Sequence, residues 1–213
     1  MHSVLVLGAS GLIGSHLIEL LKEDTTIDKI YLLLRKPLNS THSKIEERII
    51  NFSDKDSFKN NVPEVDTIFC CIGTTQKQVK GDNVLYRQID FDIPVHAAHY
   101  GLEKRVTKYI LVSAVGANAK SSNFYLQLKG QVEEAIEALP FQSVHIMQPS
   151  ILLGNRKEFR LGEKIGQAVM QALSFLIPSK YKPIQAEQVA KAMVAADKSD
   201  KVGVNVYEYR EMI

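Results

Sequence analysis

Ser3-Val4-Leu5-Val6-Leu7-Gly8-Ala9-Ser10-Gly11-Leu12-Ile13-Gly14 is the stretch whose reading decides the fold. An apolar strand runs straight into a turn with glycines at positions 8, 11 and 14, and an amphipathic pattern over residues 12–22 follows. Gly8 permits a tight strand-to-helix turn, Gly11 lets the backbone approach a pyrophosphate, and Gly14 lets the helix pack close to the strand. The free N–H groups and the positive end of the helix dipole then face the anion, and Ser10 adds a hydroxyl donor. A glycine-rich turn without a ligand has the same composition. Its place between a strand and a helix, opening a βαβ unit, points instead to a dinucleotide held by Gly8, Ser10, Gly11, Leu12, Ile13 and Gly14.

Outward from the turn, apolar runs of strand length recur at 3–7, 29–34, 49–52, 66–72, 109–113 and 143–148. Helical patterns lie between them at 12–22, 84–100, 123–138 and 187–197, with a further helical region at 158–177. Continuous apolarity, rather than alternation, means strands covered on both faces. The expected fold is therefore α/β: a Rossmann-type doubly wound parallel sheet of about six to seven strands with helices on both faces. No internal repeat or low-complexity linker divides the chain, so residues 1–213 read as one NAD(P)-binding domain. Residues 154–183 follow the sixth strand and are expected to form a substrate-side lid or wall at the carboxyl edge of the sheet.

Composition narrows the class. The 213 residues are 45% hydrophobic and 23% charged, enough for a full core without disulfide or metal,. Cys70 and Cys71 are adjacent, which disfavours a bridge, and no other thiol exists, so both read as reduced and the expected compartment is cytoplasmic,. No apolar run reaches the ~18 residues of a membrane span, and a net charge of +2 is too small for a nucleic-acid surface,. The partners expected are a small molecule and the cofactor, with no nucleic acid and no membrane.

An NAD-selective site carries an acidic residue about 20 residues past the glycines. Here the second strand ends in Arg35-Lys36, a pair suited to stack on adenine and clamp a 2′-phosphate, which favours NADP while leaving NAD open,. Strand order adds Phe52-Ser53-Asp54 near the adenine, with Asp54 as a contact, and Cys71-Ile72-Gly73-Thr74 beneath the dinucleotide. The alternative for Gly73-Thr74 is an ordinary turn, and for Cys71 a small buried hydrophobe.

The candidate chemistry lies after the fifth strand. That strand ends at Ser113, and Tyr125 and Lys129 then fall at i and i+4 on one helical face,. A free phenol, with a reference pKa near ~10, is a poor acid and base at neutrality, and a neighbouring ammonium stabilises phenolate so that a proton can be shuttled. Ser113 is placed to hydrogen-bond a substrate carbonyl. An amphipathic helix that merely carries these side chains is the competing reading.

The chain resembles the short-chain dehydrogenase/reductase superfamily, in its atypical branch. The resemblance rests on the Gly-x-x-Gly-x-x-Gly turn, on Ser113, Tyr125 and Lys129, and on Gln148-Pro149-Ser150-Ile151-Leu152-Leu153-Gly154, similar to the proline segment that passes the nicotinamide. More narrowly, residues 111–117 and 121–130 resemble the Tat-interacting-protein group of small NADP-binding oxidoreductases. It implies Tyr125 as proton donor, Lys129 on the nicotinamide ribose, Ser113 polarising the carbonyl, and Pro149, Ser150 and Ile151 along the cofactor. Many members use a helix asparagine to anchor a water and the lysine. Asp90 stands at the matching place, from which an aspartate could receive Lys129 through water.

The expected activity is hydride transfer to or from a small carbonyl or alcohol substrate with Tyr125 as acid/base. The alternative is a catalytically inactive NADP(H)-binding regulator or redox sensor that acts through a protein partner, as monomer or homodimer. Epimerisation with retained cofactor usually calls for a larger substrate-binding part than the ~60 residues beyond Leu153. His96 and His99 share one helix but find no third ligand in the pattern, so no metal is expected, and Gly101 reads as that helix's end,.

Overall fold

The structure, a computed structural model, describes residues 2–154 and 178–213. Among these, parallel strands β1 (Ser3–Leu7), β2 (Lys29–Leu34), β3 (Ile45–Ile49), β4 (Thr67–Cys70), β5 (Lys108–Val112), β6 (Ser143–Met147) and, after the short pair β7 (Leu152–Leu153) and β8 (Ile184–Gln185), β9 (Gly203–Tyr207) are found. All but the β7–β8 pair form one seven-stranded sheet in the order β3-β2-β1-β4-β5-β6-β9. The winding reverses between β1 and β4, which opens a crevice at their carboxyl ends.

The helices are α1 (Leu12–Glu23), α2 (Lys55–Asn61), α3 (Asn83–Arg87), α4 (Ile93–Glu103), α5 (Phe124–Glu137) and α6 (Ala186–Asp197). Val4, Val6, Leu32 and Phe69 bury against Leu17 and Leu21 of α1 and Met193 of α6. The intervening Leu5, Leu7 and Ile68 bury on the other face against Ala97 of α4 and Val132 and Ile136 of α5. Successive strand residues point to opposite faces and both faces are covered, which is why these strands are unbroken apolar runs. Each such side chain contributes about 1.5–3 kcal/mol.

The doubly wound parallel sheet agrees with expectation, and its edges do not. The third strand lies at Ile45–Ile49 rather than at 49–52. As an edge strand it pairs only with β2 and carries Glu46, Glu47 and Arg48, so it has no apolar run to read,. Glu47 earns its place there by accepting the backbone N–H groups of Leu38 and Ser40 at 2.9 and 2.8 Å. The opposite edge, β9, exposes Val204 and Val206 and went unread for the same reason.

The helix expected at 84–100 spans 83–103, with a π turn (Gln88–Asp92) between α3 and α4. Pro94 follows that turn at once. A proline within a helix lacks its N–H and crowds the carbonyl four residues back, and a widened turn relieves the crowding. Gly101 lies inside α4 rather than ending it: a Cβ there would stand 2.4 Å from Ile68 Cδ1, so the residue brings the helix close to β4. The helical region expected at 158–177, and with it most of the expected lid, lies outside the described residues.

Candidate functional site

The glycine turn has the geometry its sequence requires. Gly8 has φ +78°, and a Cβ on it would stand 2.5 Å from the Cys71 carbonyl oxygen at the end of β4. A Cβ on Gly14 would stand 2.2 Å from the Gly8 carbonyl oxygen. The Gly11 N–H donates to that oxygen at 2.9 Å, and Gly11 begins α1 without a side-chain cap. By contrast Asp54, Asp82 and Asn123 cap α2, α3 and α5 with their side chains. The bare amino end of α1, with Ser10 and Gly11 exposed beside it, fits an anion such as a pyrophosphate,. Ile13 is buried in the core and Leu12 packs against Gly154, so these two have only backbone N–H groups to offer.

From this turn a cleft of about 900 Å³ extends along the carboxyl ends of the strands. That volume suits a cofactor-sized ligand. Gly8, Ser10, Gly11, Arg35, Phe52, Ser53, Cys71, Ile72, Gly73 and Thr74 all line it. Of the other expected contacts, Leu12, Ile13, Gly14, Tyr125 and Lys129 are not in the lining, and neither are Asp54 and Lys36. Asp54 turns to cap α2, its carboxylate accepting the Ser57 N–H at 3.0 Å. Lys55, the residue after the cap, lines the cleft instead.

The far wall comes from the π turn and α4: Gln88, Ile89, Asp92 and His96. Sequence reading weighed His96 only as a metal ligand, with His99 and no third partner. The signal that marks it, a shared cleft with Phe52, Ser53 and Lys55, exists only once the sheet is assembled. Burial pushes the His96 imidazole below the usual histidine range, against the pull of Asp92. Among the described residues no metal-binding cluster forms around it or elsewhere.

Ser113, Tyr125 and Lys129 lie outside the cleft lining, and Lys129 approaches it beneath Gly73, its Nζ 4.0 Å from where a Cβ on that glycine would stand. Asn123 starts α5 by accepting the Leu126 N–H at 3.1 Å. Gly130 lets the preceding loop lie against the helix, since a Cβ there would meet the Ala119 nitrogen at 2.2 Å. Tyr125 is 40% exposed in the first turn, and Lys129, one turn on, is 5% exposed. Ser113 is buried at the end of β5, and its Oγ has no hydrogen-bond partner among the described residues. Its hydroxyl still acts on Glu133, one further turn along α5. Burial pushes the Glu133 carboxyl up, opposed by Ser113 and by Gln148, whose amide nitrogen donates to both its oxygens at 3.0 Å.

Lys129 meets Asp90 directly, not through water: Nζ and Oδ2 are 3.1 Å apart, with side chains 6% and 0% exposed. Burial works most strongly against the ammonium, but Asp90, Tyr125 and Cys70 together outweigh it, and Lys129 is held above the usual lysine range. Asp90 Oδ1 accepts the Thr74 N–H at 2.7 Å. Sequence matching located Asp90, but its contact with both partners needed the fold.

The segment after β6 is zipped to the end of β5 by Ser113 N–H to the Met147 carbonyl at 2.7 Å and Val115 N–H to the Pro149 carbonyl at 3.0 Å. Pro149 thereby sits beside Ser113. The Ser150 hydroxyl donates to the Lys182 carbonyl, and Ile151 is 48% exposed. None of the three is in the cleft lining.

A family model described as NAD(P)H-binding matches residues 8–199. "Protein FMP52, mitochondrial" of Eremothecium gossypii is 30% identical over 219 residues, covering 99% of this chain and 96% of that protein. "Protein HTATIP2" of Rattus norvegicus is 29% identical over 195 residues, covering 90% and 79%. The solved structure of the Bordetella bronchiseptica enzyme WbmH in complex with NAD+ is similar in fold, with a TM-score of 0.71 at 13% identity, covering 98% of this chain and 75% of that one.

Proposed function

The chain belongs to the NAD(P)H-binding family, with the fold of an atypical short-chain dehydrogenase/reductase, and from that premise we propose that it is an NADP-dependent oxidoreductase acting on a small carbonyl or alcohol. Ser113 carries the reading: a buried hydroxyl that forms no hydrogen bond of normal geometry and has only the Glu133 carboxyl near it, at a strand end beside the helix that bears Tyr125 and Lys129. An orphaned buried donor is costly unless a ligand uses it. A bound nicotinamide would supply or accept the hydride. Ser113 donates its hydrogen bond to the substrate oxygen, and Tyr125, partly exposed, gives that oxygen its proton and is reprotonated from solvent. Lys129 holds its charge beneath Gly73 and donates to the cofactor ribose. Pro149, Ser150 and Ile151 bound the nicotinamide end.

Arg35 in the cleft wall, with Lys55 as a second cation there, supports NADP over NAD,. The free cysteines support a reducing compartment such as the cytoplasm,; the name of the fungal relative says mitochondrial, and fractionation of cells expressing the tagged chain decides between them. Sedimentation distinguishes monomer from homodimer.

The test is a panel of small carbonyl compounds with NADPH. Once turnover is found, Tyr125→Phe lowers it by about 10²–10⁴ and leaves NADPH affinity nearly unchanged; a variant with the wild-type rate removes Tyr125 from the mechanism. One observation favours the regulator reading: Asp90 neutralises the charge that would otherwise act on Tyr125. Tight NADPH binding, no turnover across the panel and a protein partner selective for the loaded form would establish it.

A further inference from the structure

Glu133 lies one turn beyond Lys129 on α5 and is 8% exposed. The Lys129 ammonium is paired with Asp90 at 3.1 Å, so neutral groups hold the Glu133 carboxyl. Gln148, on the segment that follows β6, donates its amide nitrogen to both carboxyl oxygens at 3.0 Å, and Ser113 at the end of β5 has its hydroxyl beside the same carboxyl. Backbone bonds fix both neighbours: the Ser113 N–H donates to the Met147 carbonyl at 2.7 Å and the Gln148 N–H to the Tyr207 carbonyl at 2.8 Å. A buried carboxyl among neutral groups is costly to ionise.

Ser113 has one hydroxyl hydrogen to give. Against an ionised carboxyl, which only accepts, that hydrogen points to Glu133. Against a protonated carboxyl the acid's own O–H donates to Ser113 Oγ, and the serine hydrogen is free to turn away. We propose that Glu133 is a positioning residue that sets the direction of the Ser113 hydroxyl hydrogen: toward the substrate oxygen when the carboxyl carries a proton, toward the carboxyl when it does not. The substrate half rests on the oxidoreductase reading above. Burial acts most strongly on Glu133 and favours its protonated form, and the exposed Glu137 on the same helix adds to this; Ser113, Gln148 and Lys129 favour the ionised form. From β5 and from the segment after β6 the carboxyl is faced by uncharged Ser113 and Gln148, and Asp90 of the π turn is engaged with Lys129. The balance lies upward, so Glu133 gives up its proton at higher pH than a free glutamate,.

Two arms test this. In the cofactor-free protein, carbon NMR of the glutamate carboxyl groups follows the titration of Glu133, with Glu133→Gln identifying its signal. Ser113→Ala is expected to move that titration to higher pH, because the ionised form loses a charge-assisted donor. A titration that Ser113→Ala leaves in place overturns the proposal. In the second arm kcat/KM for a carbonyl compound with NADPH is measured over the same pH range. The wild type is expected to lose about 10²–10³ as Glu133 ionises. Glu133→Gln keeps the shape of the side chain and an NH2 donor toward Ser113 at every pH, so it shows no such fall. A variant with the wild-type profile overturns the proposal. Absence of turnover across the carbonyl panel overturns the oxidoreductase reading and the substrate half with it, while the NMR arm still decides whether Glu133 and Ser113 act on one hydrogen.

Discussion

Gly14 is pressed against Gly8 so closely that a Cβ on the former would stand 2.2 Å from the carbonyl oxygen of the latter. Gly11 is under less constraint, its Cβ position lying 3.1 Å from the same oxygen. Gly14→Ala is therefore expected to cost about 1–3 kcal/mol of stability or more, because backbone must move. Gly11→Ala is expected to stay within about 1 kcal/mol yet weaken NADPH binding about tenfold, since its methyl group faces the anion. Urea melts and fluorescence titration read the two effects separately, and equal behaviour of the variants contradicts the division of roles.

Arg35→Ser removes the guanidinium from the cleft wall. A charge-assisted bond to phosphate contributes about 1.5–3 kcal/mol, so NADPH affinity should fall by about tenfold to a hundredfold while NADH affinity changes little. Isothermal titration with both cofactors measures this. A parallel loss for both would mean that Arg35 stacks on adenine and does not read the 2′-phosphate.

Gly73→Ala adds a methyl group at ordinary contact distance, 3.8 Å from Asp90 Oδ2, so its effect on folding should be under about 1 kcal/mol,. Its effect on the cofactor should be larger, because the methyl group caps the Lys129 ammonium where the ribose would bind. Unchanged NADPH affinity in this variant would show that the dinucleotide does not pass over Gly73.

His145 is fully buried between Ser143 and Tyr207, with ring nitrogens 2.6 Å from Ser143 Oγ and 2.9 Å from the Tyr207 hydroxyl. Burial, aided by Lys108 and Lys201, pushes its pKa down to about 4. Between that value and the unfolded value of about 6.5 the unfolded chain binds the extra proton, so stability falls as pH falls, by about 3 kcal/mol over the whole window. His2 acts with opposite sign: its bond to Asp197 raises its pKa, and the stability it adds is full below about pH 6.5 and is lost as pH rises through the raised folded value. Comparing wild type with His145→Gln across the window cancels the His2 contribution. A difference that stays constant with pH would show that His145 does not titrate between the two states.

What could be read before folding was whatever short-range pattern carries. The strand Ser3–Leu7, the glycine spacing and helix α1 are contiguous, and their chemistry needs no distant partner to be recognised. The same holds for Tyr125 and Lys129, which helical periodicity puts on one face, and for Ser113 at a strand end. The central strands were legible because two-sided burial leaves an unbroken apolar run. Edge strands β3 and β9 were not, because a strand covered on fewer sides tolerates charge and exposed valine.

Pairings across the sheet decided the remainder. Residues such as Asp54 and Lys55 are neighbours in sequence, yet one caps a helix and the other lines the cleft, a distinction set by where α2 begins. His96 enters the cleft wall together with Phe52, Ser53 and Lys55, residues more than 40 positions away in sequence. The sequence by itself determined the glycine turn, the doubly wound class and the residue types available for proton transfer, since each is a property of neighbouring residues. Only the tertiary structure decided that Asp90 meets Lys129 and Thr74 together: one carboxylate oxygen accepts the Thr74 N–H and the other pairs with the ammonium only where a π turn, a strand end and a second helix are brought within about 3 Å of one another,.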